Sequence, residues 1–288
     1  MRSGILLVHP GALGDVLIAL GLAARLQGRL TVAVRGAILR LAPLVPHVAE
    51  WLDLDSAWGP ALLSGQVAAW PAPLRESSAA FLLRSDPDGA IAQQSSRDLG
   101  APVVVGSAIP PSGCSAHRHV ARLLGVSQEP LGRPWVSVPG PPGEAAPVVI
   151  HPGSGGRAKR WPLDGFVEVA RILERRIRPV KWLLGDAEVE DGLDRTLTGD
   201  VMRALSLDEV ARVLATAGAF LGNDSGVAHL AAAVGTPSVL IFGPTAPESW
   251  APAVRWVAAV RGDPRADATR WSLDPERIAG LVRAAARG

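Results

Sequence analysis

The chain has 288 residues, of which 48% are hydrophobic and 19% are charged, and its formal net charge is +2. This length and apolar content suffice for one large or two smaller folded domains, which excludes a mainly disordered protein. A net charge so close to zero does not indicate a nucleic-acid-binding protein. One cysteine, Cys114, excludes both a disulfide framework and a cysteine-based zinc or redox motif.

The sequence also bears on where the protein works. No apolar stretch reaches the roughly 18 residues needed to span a bilayer. The apolar N-terminal run is interrupted by His9, Pro10, Gly11 and Asp15, which argues against a signal peptide. We therefore expect a cytoplasmic protein, and contact with the inner-membrane surface is left open.

In the first half of the chain, predicted strands alternate with predicted helices. Strands are predicted at 5–8, 31–34, 80–83 and 103–105, and helices at 15–27, 90–99 and 117–124. The continuous apolar run at 5–8 is typical of a parallel strand that is buried on both faces. The spacing of the first three elements predicts a right-handed βαβ unit.

A stretch rich in proline and glycine, 139–147, interrupts this alternation. Such composition favours an extended linker, so we place a domain boundary there. We expect an N-terminal domain at 1–140, a C-terminal domain at 147–273 and a final helix at 274–288. Whether that helix crosses back to the N-terminal domain is left open.

The second half repeats the alternation. Strands are predicted at 148–150, 180–184, 219–221 and 238–242, and helices at 163–176, 207–217, 227–234 and 274–288. Ser206 and Glu209 form a capping box that marks one helix start, and Asp274 with Pro275 marks another. Alternating strands and helices predict parallel α/β sheets. The two blocks thus predict two Rossmann-like lobes with a cleft between them.

Asp15 lies where the first strand gives way to the first helix, and it has two interpretations. Ligands of open α/β sheets bind outside the carboxyl ends of the strands, where a carboxylate can act as a general base. The alternative is a structural role, because Asp near a helix N-terminus stabilises the helix.

The loop at 151–161 is rich in glycine and contains Lys159, one of only two lysines. Glycines permit close backbone approach to a ligand, and a lysine can neutralise a diphosphate. The loop matches neither the Walker A pattern nor GxGxxG, which disfavours a dinucleotide oxidoreductase. A flexible turn with a solvated lysine is the alternative. Trp161 is interpreted as a packing residue.

A second candidate anion site lies at Asn223-Asp224-Ser225-Gly226, where a predicted strand meets a helix. The free N–H groups of a first helical turn bind phosphate, and Asp224 can accept hydrogen bonds from sugar hydroxyls. The alternative is simple capping, with His229 half-buried. Two anion-binding loops in one lobe together favour a ligand that contains phosphate. Gly243-Pro244-Thr245 follows another predicted strand and could line the same cleft, although a plain turn is the favoured interpretation.

Three segments carry motifs rather than isolated residues. They are 5–16 (ILLVHPGALGDV), 151–162 (HPGSGGRAKRWP) and 222–245, which starts GNDSGVAHLAAA and ends FGPT. In this order they closely resemble glycosyltransferase family 9, the bacterial ADP-heptose:lipopolysaccharide heptosyltransferases and their relatives. The resemblance covers almost all of the C-terminal half but only about the first 45 residues of the N-terminal half.

The resemblance implies a GT-B fold, in which two Rossmann-like lobes with parallel sheets face a central cleft. The donor is expected in the C-terminal lobe and the acceptor in the N-terminal lobe. It further implies an inverting, metal-independent transfer of a sugar, usually heptose, from an ADP-sugar to a saccharide such as the lipopolysaccharide inner core. No cofactor is implied.

The family's functional positions transfer to this chain one by one. The resemblance makes Asp15 the catalytic base and Lys159 the lysine at the donor phosphates and sugar. It assigns the donor contacts to Ser154 at phosphate, Glu188 or Glu190 at the ribose, Leu205 at adenine, Asp224 at the sugar, Ser225 and Gly226 as a backbone phosphate clamp, and His229 beside that clamp.

The acceptor side departs from the family pattern, because the N-terminal lobe is shortened around 51–115. An anionic, lipid-linked acceptor calls for basic side chains, and we name Gly14, Arg118 and Arg122 as candidate contacts. Surface solvation is the alternative for these arginines. The alternative functions are transfer from another nucleotide sugar and transfer to an acceptor unrelated to lipopolysaccharide. A non-catalytic protein that binds a nucleotide sugar is a further alternative.

Overall fold

A computed structural model describes residues 4–140, 143, 146–175 and 179–287. Four positions of the expected linker (141, 142, 144 and 145) and the last residue of the helix predicted at 163–176 lie outside the described residues. The chain divides into two compact units after Glu129, whereas the expected linker begins at Pro139. Residues 130–138 therefore belong to the second unit. They pack on its α/β body, since the Trp135 N–H donates to the Ala233 carbonyl oxygen at 3.0 Å.

The first unit is a five-stranded sheet in which every described pairing is parallel. Its elements are β1 (Gly4–Val8), α1 (Leu13–Ala23), β2 (Arg29–Val34), β3 (Glu50–Asp53), α2 (Gly59–Ser64), β4 (Ser77–Leu82), α3 (Ala90–Leu99), β5 (Val103–Val105) and α4 (Ala116–Leu124). The strand order β3-β2-β1-β4-β5 places β1 at the centre of the sheet.

Helix α1 is almost wholly apolar, with most of its residues buried, and it packs against α4. It begins at Leu13 and ends at Ala23, earlier than the predicted end at residue 27. After Ala23 the backbone tightens into a 3₁₀ turn, in which the Arg25 N–H donates to the Leu22 carbonyl oxygen. The start of α1 at the carboxyl end of β1 places Asp15 on the first helical turn.

The second unit is a six-stranded sheet that is likewise parallel throughout its described pairings. Its elements are β6 (Val148–His151), α5 (Leu163–Arg175), β7 (Val180–Leu183), α6 (Asp186–Glu190), α7 (Leu193–Thr196), β8 (Asp200–Met202), α8 (Leu207–Ala215), β9 (Ala219–Asn223), α9 (Gly226–Val234), β10 (Ser238–Phe242), α10 (Pro247–Trp250), β11 (Val257–Arg261) and α11 (Pro275–Ala285). The strand order is β11-β10-β9-β6-β7-β8.

The core of the second unit lies between its sheet and the helices α5 and α11. Helix α11 packs on α5 within this unit. The Asp274 carboxylate accepts a hydrogen bond from the Glu276 N–H at 3.1 Å, which confirms the predicted cap. The capping box of Ser206 and Glu209 is confirmed as well. Within the described ranges, no helix is both long enough and apolar enough to cross a bilayer.

Candidate functional site

Two loops leave the same edge of the second sheet because β6 and β9 are parallel neighbours, with His151 opposite Gly222. The fully buried Asn223 ties them together. Its side-chain oxygen accepts a hydrogen bond from the Trp161 N–H at 2.9 Å, and its amide donates to the Pro152 carbonyl oxygen at 2.8 Å. Asn223 therefore fixes the glycine-rich loop 152–161 onto the end of β9.

Trp161 anchors the far end of this loop. Its ring is buried and meets Phe166 edge-on, with the ring centroids 5.0 Å apart. Its indole N–H donates to the Arg270 carbonyl oxygen at 2.8 Å. The prediction that Trp161 is a packing residue is confirmed.

The centre of the site is a pair formed by Lys159 and Asp224. The Lys159 ammonium lies 2.9 Å from the Asp224 carboxylate, and the Thr245 hydroxyl donates to the same oxygen at 2.9 Å. The Ser154 hydroxyl donates to the Asp224 carbonyl oxygen at 2.7 Å. Thr245 is part of this cluster, which fits the alternative that 243–245 lines the site better than the favoured plain turn.

Helix α9 begins immediately beside the pair. Ser225 is its N-cap, and the Ser225 hydroxyl oxygen accepts a hydrogen bond from the Ala228 N–H at 3.2 Å. The hydroxyl thus caps the helix, while the first-turn amides, with the helix dipole, form a site that favours an anion. Gly226 is the first helical residue, so a ligand's approach to these amides is not obstructed by a side chain.

His229 lies in α9 behind Lys159 and Asp224. Burial is the main cause that lowers its pKa to about 4; Asp224 opposes this shift and Lys159 adds to it. The imidazole is therefore neutral near pH 7, and it can offer a hydrogen bond but no charge. His229 is buried, whereas the capping alternative for the 223–226 turn predicted a half-buried side chain.

Glu188, the candidate ribose contact, sits at the start of α6. Its carboxylate lies 3.0 Å from the Arg160 guanidinium and accepts a hydrogen bond from the Gly185 N–H at 3.1 Å. The side chain is buried against Gly153, whereas Glu190 is exposed. Leu205 is half-buried and follows β8. Both residues thus lie past the carboxyl ends of β7 and β8, on the edge that carries Lys159.

Arg160 organises this part of the site, and it was not among the residues that the sequence predicted for it. Its guanidinium contacts Glu188, Asp191 at 2.5 Å and the Ser154 carbonyl oxygen at 3.2 Å. Only 16% of its side chain is exposed. The sequence signal for Arg160 was its place as a second basic residue directly after Lys159. A long cationic side chain that is mostly buried needs acidic partners.

Gly153 gives the first prediction. A Cβ atom at Gly153 would lie 2.3 Å from the Glu188 carboxyl carbon, whereas nothing lies within 4 Å of one at Gly155. We expect Gly153→Ala to lower the free energy of unfolding by about 1–3 kcal/mol through overpacking and Gly155→Ala to leave it unchanged. Urea unfolding of both variants tests this, and equal midpoints would contradict the packing described.

In the first unit, Asp15 lies half-buried beside a tight turn. The Gly11 N–H donates to the buried His9 ring at Nδ1, at 3.0 Å. A Cβ at Gly11 would lie 2.6 Å from the His9 ring and 3.5 Å from the Asp15 carboxylate. A side chain at residue 11 would therefore collide with the His9 ring. His9 was not among the residues that the sequence predicted for the site.

The acceptor candidates lie on two helices of the same unit. Gly14 is in the first turn of α1, next to Asp15. Arg118 and Arg122 are exposed on α4, and the Arg122 guanidinium donates to the Cys114 sulfur at 2.7 Å. Their exposure fits both the acceptor role and the solvated alternative. Among the described residues, no group of three His, Cys, Asp or Glu side chains is placed to hold a metal ion.

Buried histidines predict how stability depends on pH. Burial lowers the pKa of both His9 and His229 from 6.5 to about 4, and it also lowers the pKa of His117 and His151. Between these pH values the unfolded chain binds more protons, so the free energy of unfolding falls as the pH drops from about 6.5 toward 4. The loss by pH 4 is on the order of 3 kcal/mol for each of His9 and His229.

Urea unfolding at pH 7.5, 6.5 and 5.0 measures this dependence. His9→Asn can keep the acceptor for the Gly11 N–H but cannot titrate, so its stability should fall less steeply with pH. Equal unfolding free energies of the wild-type chain at pH 7.5 and 5.0 would contradict the burial of these histidines.

Comparison with known proteins gives the site a family context. The model of glycosyltransferase family 9 (heptosyltransferase) matches residues 139–276. Lipopolysaccharide heptosyltransferase 1 of Pseudomonas aeruginosa is 36% identical over 110 residues, 37% of this chain and 31% of that protein. Lipooligosaccharide heptosyltransferase 2 of Haemophilus influenzae is 32% identical over 117 residues, 37% of this chain and 34% of that protein. The matched segment thus spans about a third of these curated relatives.

Solved structures extend the likeness in fold to the whole chain. Escherichia coli ADP-heptose LPS heptosyltransferase II superposes with a TM-score of 0.75 at 20% identity, covering 99% of this chain and 98% of that one. Escherichia coli heptosyltransferase WaaC, solved with ADP, gives 0.71 at 20% identity, covering 98% and 99%. The prediction of a GT-B fold built from two Rossmann-like domains is confirmed. The motifs at 151–162 and 222–245, on which the resemblance to this family rests, lie within the matched residues 139–276.

Proposed function

We propose that this chain is an inverting glycosyltransferase that moves a sugar, heptose in the first instance, from an ADP-sugar to a saccharide acceptor such as the lipopolysaccharide inner core. The observation that carries the proposal is the Lys159–Asp224 pair, 2.9 Å apart, beside the N-terminus of α9. It combines a cation and free helix amides, which suit a diphosphate, with a carboxylate that suits sugar hydroxyls. The family match and the curated relatives, all of them heptosyltransferases by name, support it.

The donor would lie along the carboxyl edge of the second sheet. Leu205 would contact adenine, Glu188 the ribose, and Ser154 with the Ser225 and Gly226 amides the diphosphate. Asp224 would hold the sugar, with neutral His229 behind it. These residues follow β8, β7, β6 and β9, which are consecutive neighbours in the sheet, so the order of the ligand's parts matches the order of the strands.

The chemistry would begin at Asp15. Its carboxylate would take the proton of an acceptor hydroxyl, and the hydroxyl oxygen would attack the anomeric carbon on the face opposite the diphosphate. The bond from that carbon to the phosphate oxygen then breaks, which inverts the configuration. General-base assistance of this kind contributes roughly 10²–10⁴-fold.

The leaving diphosphate would be stabilised by the protein itself. Lys159 is 38% exposed, so its ammonium can contact a phosphate oxygen while Asp224 keeps it oriented. Donors already in place as charge develops lower the barrier without further reorganisation. We therefore propose a metal-independent reaction.

Substrate identity and cellular location belong to the same proposal. A transferase for another nucleotide sugar, or for an acceptor unrelated to lipopolysaccharide, would use the same side chains. A non-catalytic protein that binds a nucleotide sugar would use them as well. A cytoplasmic protein fits the single cysteine, and contact with the inner-membrane surface fits a lipid-linked acceptor.

Thermal-shift measurements with ADP, UDP, GDP and their sugars test the donor assignment. A ligand at 100 times its Kd stabilises the folded chain by about 2.7 kcal/mol. ADP and ADP-heptose should raise the melting temperature more than the uridine and guanosine compounds. A larger shift with UDP or GDP would overturn the adenine assignment, and tight ADP binding without product from any donor would favour the non-catalytic alternative.

A further inference from the structure

A carboxylate that is almost fully buried lies just past the carboxyl end of β7. It belongs to Glu188, whose side chain is only 5% exposed. Its Oε1 atom lies 3.0 Å from the Arg160 guanidinium, and its Oε2 atom accepts a hydrogen bond from the Gly185 N–H at 3.1 Å. A Cβ at Gly153 would lie 2.3 Å from the carboxyl carbon. The carboxylate is thus held in one orientation from three sides.

Arg160 is the one cation in contact with this carboxylate within the part of the chain that the structure describes. The other basic group nearby is His151, at the end of β6, whose ring feels the charges of both Glu188 and Arg160. Burial lowers the pKa of His151, and its Nδ1–H donates to the Leu183 carbonyl oxygen at 2.8 Å. The ring is therefore neutral near pH 7, and only Arg160 offsets the buried charge of Glu188.

The Arg160 guanidinium contacts two further groups of the site at the same time. It lies 2.5 Å from the carboxylate of Asp191, which follows α6. It also donates to the Ser154 carbonyl oxygen at 3.2 Å. A planar guanidinium can make such contacts together, whereas an ammonium group is a single point charge. Arg160 therefore fixes the orientation of Glu188 relative to the glycine-rich loop.

These contacts leave Glu188 with acceptor capacity that no described group uses. An ionised carboxylate can accept about four hydrogen bonds and donates none, and two are taken by Arg160 and Gly185. The remaining capacity suits two neighbouring hydroxyl groups, such as the 2′ and 3′ hydroxyls of a ribose. Because so little of the side chain is exposed, the orientation of the carboxylate decides whether both hydroxyls can reach it.

Loss of Arg160 would leave Glu188 without a compensating charge. A buried carboxylate that loses its cation is strongly disfavoured, so it would turn toward solvent or take up a proton. In either form it would no longer present the same lone pairs to a ligand. Arg157 could not replace Arg160, because its described contact is with Asp191 and 80% of its side chain is exposed.

We propose that Arg160 is a positioning residue that makes the nucleotide site selective for ribose over deoxyribose, because it orients the Glu188 carboxylate toward both ribose hydroxyls. This role rests on the proposed function for the presence of a nucleoside diphosphate. It deepens that function by assigning the selectivity to a side chain that acts through Glu188 and does not itself touch the ligand.

The test compares the full-length wild-type chain with Arg160→Gln, which removes the charge, and with Arg160→Lys, which keeps it. Arg157→Ala is the matched control, since it removes the other arginine that contacts Asp191. Calorimetry measures the Kd for ADP, 2′-deoxy-ADP, 3′-deoxy-ADP and inorganic pyrophosphate, and for UDP and GDP. Thermal melting establishes that each variant is folded, and Arg160→Lys serves alone if Arg160→Gln is not.

The wild type should bind ADP at least about tenfold more tightly than each deoxy analogue, the usual effect of one hydrogen bond to a charged group. Both Arg160 variants should lower this ratio to about threefold or less, since neither side chain can hold two carboxylates and a carbonyl together. Their Kd for pyrophosphate, which has no ribose, should stay within about twofold of the wild-type value. Arg157→Ala should behave as the wild type.

Three results would overturn the role of Arg160. The first is a ribose preference that survives in the folded Arg160 variants. The second is an equal loss of preference in Arg157→Ala, which would make the charge of the network decisive. The third is a weakening of pyrophosphate as large as that of ADP with an unchanged ratio, as expected if Arg160 only supports the loop.

Failure of the proposed function gives a different pattern. If the wild type prefers UDP or GDP, the adenine assignment fails, and the deoxy forms of that nucleotide test Arg160 in the same way. If the wild type binds ADP without preferring ribose, the role of Arg160 alone fails. If it binds no nucleoside diphosphate, both fail.

Discussion

Asp15→Asn should lower kcat for sugar transfer by about 10²–10⁴-fold and leave the Kd for ADP unchanged. The amide cannot accept a proton at neutral pH, and the nucleotide is assigned to the second unit. Asn has nearly the same shape, and Asp15 is only half-buried in the first turn of α1. Initial rates and calorimetry with ADP separate the two effects.

The matched control is Asp164→Asn, which removes an exposed carboxylate from the first turn of α5. Its loss of helix-dipole interaction should resemble that of Asp15→Asn, at about 0.3–1 kcal/mol of stability, while its kcat stays at the wild-type value. Near-normal kcat in Asp15→Asn would make Asp15 a structural residue, the alternative that its place in the helix left open.

Lys159→Ala should lower kcat/KM by about 10²–10³-fold, the usual cost of removing one group that stabilises developing charge. It should also weaken ADP binding, since the ammonium is assigned to the diphosphate. Its pair with Asp224 is charge-assisted at 2.9 Å, so Asp224→Asn should change the effect of the lysine mutation. The four combinations of these two substitutions form a double-mutant cycle that measures the coupling.

Lys181 provides the control because it is the only other lysine in the chain. Its ammonium lies 3.0 Å from Asp200 on neighbouring strands, with 40% and 53% of the two side chains exposed. Lys181→Ala removes the same charge and an ion pair of similar length, and it should leave both kcat/KM and ADP binding unchanged. A loss in this variant as large as that in Lys159→Ala would mean that overall charge, not the position of Lys159, matters.

The sequence predicted the buried strands well and most edge strands poorly. Central strands such as β1, β6 and β9 are continuous apolar runs because neighbours and helices cover both faces. The strands β3, β8 and β11 border their sheets and were missed. Their residues are mostly half-buried or exposed, so they include Glu50, Asp200 and Arg261, which hide the apolar pattern.

The site was predicted where residue type implies chemistry and missed where it does not. Lys159, Asp224 and Ser225 stood out as a cation, a carboxylate and a helix cap between strand and helix. The role of Asn223 depends on the backbone of residues 152 and 161, which are distant in sequence, and that of Thr245 depends on β10 lying next to β9. Such contacts follow from strand order, which no local pattern encodes.

Incubation of the purified chain with ADP-heptose and a deacylated lipopolysaccharide inner-core oligosaccharide, in the presence of EDTA, tests the proposed sugar transfer most directly. Mass spectrometry of the oligosaccharide and assay of released ADP follow the reaction. We predict that the oligosaccharide gains one heptosyl residue for each ADP released, and that Asp15→Asn forms neither product at a comparable rate. ADP-heptose that binds tightly yet stays intact with this and every other acceptor would contradict the account.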